Sequence, residues 1–146
     1  MIGVIYISTE MTSFSETEFM ELSKASEISN KKNGITGFLM YQDGRFVQYL
    51  EGTEHAVKQV VRRIEEDLRH VVDFSYAERL KQGKRFPNWW MRLLSREDLK
   101  KVSLEGFLME YMTFLDRVSG GDIQVTDAVW RFVDEVKRLQ TRMPSR

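Results

Sequence analysis

The sequence predicts an α+β domain, ordered βαββαββ, with two helices packed on one face of a mixed sheet and two additional helices after it. Short runs of β-branched and aromatic residues alternate with stretches whose apolar positions repeat at three and four. A hairpin signal sits in the middle, and strand signals stop near residue 95 while helical stripes continue.

"IGVIYIS" (2–8) is a buried-strand pattern. In "FSETEF", Ser15 and Glu18 have capping-box spacing, with Phe14 and Phe19 at staple positions, so a helix is expected over 16–30, closed by the polar "NKKNG". "GITGFLMYQDGRFVQYLEG" (34–52) is two strands joined by an Asp-Gly turn at 42–45. Thr53 caps a second helix whose stripe is Val57, Val60, Val61, Ile64 and Leu68. Residues 71–80 and 89–94 are two more strands around "KQGKRFPN". Beyond them, Leu104 to Leu115 form one helical stripe and Val129, Phe132, Val133, Val136 and Leu139 another, the latter capped by Thr126. The expected organisation is a domain over 1–95 and a helical extension over 96–146 within the same compact unit.

Composition narrows the function. With 22 basic and 22 acidic side chains the 146-residue chain has a net charge of zero, which argues against nucleic acid or an anionic membrane as partner. There is no cysteine, and only His55 and His70 supply imidazole. No metal-ligand spacing, Ser-His-Asp arrangement or phosphate-cradling glycine loop appears, so we expect no enzyme, no metal, and any chemistry to come from a cofactor. The N-terminus lacks a basic leader and no apolar run could span a bilayer, which leads us to expect a cytoplasmic protein.

Several residues stand out against this frame. Gln48 lies between Phe46 and Leu50 on one strand face, an amide where the pattern calls for an apolar side chain. Tyr6 shares a face of the first strand with Val4 and Ser8. Leu22, Ser26 and Asn30 lie four apart on the first helix, as do Arg63 and Asp67 on the second. Alternation puts Trp89 and Met91 on one face of the last strand and Trp90 on the other. Each has an ordinary explanation: a satisfied core amide, a packed tyrosine, a helix-stop asparagine, an exposed ion pair, aromatic packing. His70 has one too, as a charge at a helix C-terminus. What remains unexplained is their convergence between two helices and a sheet.

Together "VIYIS", Asn30, "GITGFLMY", "GRFVQYLEG", "RRIEEDLRH" and "RFPNWWM" resemble the BLUF family of blue-light receptors over about residues 2–94. The resemblance implies a ferredoxin-like fold holding a flavin ring between the helices, with FAD first and FMN or riboflavin as alternatives. It implies that Asn30, Arg63 and Asp67 fix the ring's polar edge, that Leu22 and Ile64 sandwich the ring, and that Phe46 and Leu39 line the pocket. Ser8 and Ser26 match small polar pocket positions. Tyr6 would be the electron and proton donor, Gln48 the amide whose hydrogen bonding is rearranged by light, and Trp89 and Met91 the route outward. Two departures are Ser29, where many members carry a second asparagine, and Trp90, where serine is usual. Like the short members, the chain would signal to a separate protein, its final helices forming part of an oligomer or partner interface. The rival expectation is a degenerate or flavin-free ferredoxin-like regulatory module. An acylphosphatase-type enzyme is disfavoured because "STEMTSFSE" contains neither glycine nor arginine.

Overall fold

A computed structural model describes residues 1–42, 44–94 and 125–141. Backbone contacts divide the chain into two compact units, Met1–Leu94 and Ser95–Arg146.

In the first unit, β1 (Ile2–Glu10), β2 (Thr36–Gln42), β3 (Arg45–Gly52), β4 (His70–Arg79) and β5 (Trp90–Leu94) form one sheet in the order β4-β1-β3-β2-β5. β5 runs parallel to β2 and the other pairs are antiparallel. The helices α1 (Glu16–Lys32) and α2 (Glu54–Glu66) contribute Phe19 and Val57 to the same core as Val4, Tyr6, Leu39, Phe46, Leu50 and Met91. Both helices therefore lie over one sheet face, in the ferredoxin-like α+β arrangement.

Local chemistry sets the element ends. Ser15 accepts the Glu18 amide at 3.1 Å and Thr53 accepts the Ala56 amide at 3.3 Å, capping α1 and α2. Gly44, at φ 77°, turns the chain between β2 and β3, where a side chain would be strained. Gly37 is required for a different reason: a Cβ there would meet the Tyr49 carbonyl oxygen at 1.8 Å, so β2 and β3 could not close.

Three expectations are corrected. α1 continues two residues past Asn30, and Asn33 is the cap, its amide bonded to Asn30 and Ser29 carbonyls. α2 stops at Glu66, so Leu68, although it continues the helical period, is 90% exposed. Asp67 takes an extended conformation, φ −76° and ψ 111°, and turns the chain into β4. The Arg63–Asp67 pairing expected on one helix consequently gives way to an Asp67–Arg69 pair.

In the second unit, α3 (Val125–Gln140) buries Phe132, Val133, Val136 and Leu139. It starts one residue ahead of Thr126, the expected cap. The stripe expected over 104–115 lies outside the described residues.

Candidate functional site

Between α1, α2 and the sheet lies a cavity of about 290 Å³. α1 presents Leu22, Ala25, Ser26, Ser29 and Asn30 to it, because positions three and four apart share one helix face. α2 contributes Val60, Arg63 and Ile64, and the strands contribute Tyr6, Leu39, Phe46 and Gln48. Phe14, Asp67 and Arg69 from the two connections and His70 at the start of β4 complete the lining.

The floor carries a chain of polar contacts. Tyr6 and Gln48 are directly cross-strand on β1 and β3, which brings the phenol to the carboxamide. The Tyr6 hydroxyl donates to Gln48 Oε1, and Gln48 Nε2 donates to Met91 Sδ at 3.0 Å. Burial, and secondarily the negative charge of Asp67, push the Tyr6 hydroxyl well above the usual tyrosine range, so it remains a proton donor.

Met91 reaches Gln48 through a bulge. Successive residues Gly37 and Phe38 pair with Trp90 and Arg92, leaving Met91 as the extra residue at φ 73°. The Trp89 carbonyl accepts both the Gly37 and Met91 amides, each at 2.8 Å. This irregularity overturns the expectation that Trp89 and Met91 share a face. Met91 joins the helix-side core, while Trp89 stacks on Phe86, 5.3 Å between ring centroids, within the Phe38–Tyr49 cluster of the opposite sheet face. Neither Trp89 nor Met91 lines the cavity, whereas Tyr6, Leu22, Ser26, Asn30, Leu39, Phe46, Gln48, Arg63, Ile64 and Asp67 all do. Ser8 is also outside it, bonded to His70.

Of the six lining residues that the sequence reading did not name as site residues, Arg69 and His70 make side-chain hydrogen bonds. His70 Nε2 lies 2.7 Å from the Ile64 carbonyl and Nδ1 lies 2.8 Å from the Ser8 hydroxyl. A carbonyl can only accept, so Nε2 carries a proton, and in the neutral ring Nδ1 accepts from Ser8. His70 thus ties the last turn of α2 to β1. Arg69 grips Asp67 with contacts of 2.6 to 3.2 Å and lies 5.6 Å from the Phe14 ring centre. Its hydrogen bonds hold the Asp67 carboxyl at about 2, below the usual carboxylate range. The missed signal was "DLRH" followed by "VV", a helix stop leading into a strand.

Asn30 is only 3% exposed and lines the cavity, yet among the described residues its carboxamide has no hydrogen-bond partner. A buried amide without a protein partner, apolar side chains from both helices and the sheet, and a polar floor describe a receptacle for a flat heterocycle with hydrogen-bonding edges. The fold and site therefore define a small α+β domain with a cavity suited to a planar cofactor.

The chain belongs to the BLUF family: residues 1–92 match its family model, described as sensors of blue-light using FAD. It is 34% identical over 70 residues to a photoactivated adenylate cyclase subunit alpha of Euglena gracilis, a match covering 48% of this chain and 7% of that protein. The fold is similar to the dark-state structure of BlrB, a BLUF protein, with a TM-score of 0.71, 25% identity and coverage of 94% of this chain and 95% of that one. A bacterial light-regulated adenylyl cyclase gives a TM-score of 0.62 at 29% identity, covering 83% of this chain and 34% of that chain. The domain is thus a flavin-binding blue-light sensor. The residues present fit that cofactor. Asn30 and Arg63 carry N–H donors of the kind ring carbonyls accept, Leu22 and Ile64 present apolar surface from the two helices, and Gln48 is a carboxamide at the floor.

Proposed function

We propose that Tyr6 and Gln48 are the light switch of this sensor and that Met91 passes its state to β5. The observation that carries this reading is the contact chain Tyr6 hydroxyl, Gln48 carboxamide, Met91 thioether along the cavity floor.

When bound, a flavin supplies blue-light absorption and an acceptor for one electron. Tyr6 is placed to donate because it lines the cavity and its hydroxyl already has a proton acceptor in Gln48 Oε1. A phenol that loses an electron becomes strongly acidic, so its proton passes along that hydrogen bond. Return of the electron and the proton restores Tyr6. Gln48 is what stays altered, since a carboxamide carries donor and acceptor on opposite arms and rotation or tautomerism exchanges them. With the arms exchanged, the hydrogen bond from Nε2 to Met91 Sδ is lost.

Asn30 holds the polar edge of the ring, assisted by Arg63 and by Asp67, which Arg69 keeps ionised and oriented. Leu22 and Ile64 grip the ring, Leu39 and Phe46 exclude water, and Ser26 adds a small polar contact. Trp89 contributes through its backbone, because its carbonyl fixes the bulge that presents Met91. The sensor domain ends near residue 95, and the extension over 96–146 serves assembly into a homo-oligomer or docking of an effector.

The test is the visible spectrum of flavin-loaded protein before and after blue light. A red shift that relaxes in the dark is expected, and its loss in Gln48→Leu with flavin still bound. A full red shift in Gln48→Leu would sink the role given to the amide.

A further inference from the structure

Among the described residues, one fully buried side chain that accepts four hydrogen bonds lies outside the cavity. Glu51, on β3, is fully buried on the sheet face opposite the helices. Its Oε1 accepts the Phe86 amide at 2.6 Å and the Thr36 hydroxyl at 3.2 Å. Its Oε2 accepts the Arg85 amide at 2.9 Å and the Tyr49 hydroxyl at 3.0 Å. A carboxylate in the core is costly unless it is fully satisfied, and here the satisfaction has a direction. Two of the four donors are consecutive backbone amides of the β4–β5 connection, which the carboxylate fastens to the central strand.

From that fastening the backbone leads straight to Met91. The Phe86 carbonyl accepts the Trp89 amide at 3.2 Å, and the Phe86 ring stacks on Trp89. The Trp89 carbonyl accepts the Met91 amide at 2.8 Å, and Met91 Sδ accepts from Gln48. Two backbone hydrogen bonds therefore separate the Glu51 clamp from the residue that touches the switch.

We propose that Glu51 is a positioning residue of the photocycle, holding the β4–β5 connection so that the bulged Met91 is presented to Gln48. The inference rests on the reading of Gln48 and Met91 given above. Glutamine at position 51 is the discriminating substitution. It matches the carboxylate in size but offers one acceptor oxygen, so it cannot accept both backbone amides, which lie on different oxygens.

In flavin-loaded Glu51→Gln, we expect flavin affinity within about twofold of the parent, because Glu51 does not touch the cavity. Dark recovery after blue light should be faster by about threefold to thirtyfold, the range of coupling carried by a packed network. In a Met91→Ala background the same substitution should leave recovery unchanged. Recovery of Glu51→Gln within about twofold of the parent, or slower, overturns the proposal. A second measurement needs no variant: in wild-type protein the Arg85 and Phe86 amides should exchange with solvent as slowly as those of β3. Exchange at open-loop rates overturns the clamp. A wild-type protein that binds flavin but shows no light response would instead count against the Tyr6–Gln48 reading, while the exchange result would still judge the clamp.

Discussion

The Tyr6–Gln48 pair can be weighed without light, by a double-mutant cycle on the stability of flavin-free protein. Both residues are 5% exposed, and the phenol's partner is the glutamine oxygen. Tyr6→Phe orphans that oxygen, and Gln48→Leu orphans the hydroxyl; a buried polar group left unpaired costs about 1–3 kcal/mol. Both residues line the cavity, where water can replace part of the lost partner, so about 1–2 kcal/mol is expected for each. Removing both groups together leaves apolar surface against apolar surface and should be nearly neutral. In urea, with a slope of about 2 kcal/mol per M, each single substitution should lower the midpoint by about 0.5–1 M. The double variant should return to within about 0.5 M of the parent. Tryptophan fluorescence, with Trp89 and Trp90 immediately before the bulge, provides the signal. A double variant whose loss equals the sum of the single losses would refute the view that the two groups depend on each other.

Three further outcomes follow from individual sites. Asn30→Ala should weaken flavin binding about tenfold to hundredfold in a fluorescence titration while leaving flavin-free stability unchanged or slightly raised, since the amide has no protein partner and alanine favours the helix. Gly37→Ala should cost about 4 kcal/mol or more because its Cβ would strike backbone, whereas Gly34→Ala, at φ 68° with open space around it, should cost about 1 kcal/mol; chemical denaturation compares them. Asp67, depressed from 3.8 to about 2 chiefly by the Arg69 hydrogen bond, contributes stability that is fully present above about pH 4 and is lost as pH falls through about 2. Asp67→Asn should flatten the stability profile across that window in acid titrations of unfolding.

What the sequence disclosed and what it concealed divide along a physical line. Strands with clear alternation, an Asp-Gly turn and capped helices depend on local chemistry, so the order of elements was legible, and with it the faces carrying Tyr6, Phe46 and Gln48. Leu22, Ser26 and Asn30 followed from helical spacing alone. The end of α2 did not, because Leu68 continues the apolar period and only tertiary pairing of β4 pulls the chain out of the helix. That error carried Arg69 and His70 away from the pocket in the sequence reading. The expected shared face of Trp89 and Met91 failed for a related reason: the bulge at Met91 arises from the β2–β5 register, a non-local property, and a methionine at positive φ has no sequence signature. Asn30 shows the opposite case, a residue whose local reading as a helix stop gave way because Asn33 caps the helix instead.

The cavity's size bears on how this protein can be handled. About 290 Å³ is the small end of ligand pockets, enough for a fused ring system but not for a dinucleotide. Everything beyond the ring must therefore lie outside the cavity. A flavin carrying a dye, an affinity tag or a bead linker on its tail should seat as the natural one does. The tail then becomes a chemical handle through which the loaded photoreceptor can be immobilised or tracked without altering a single residue.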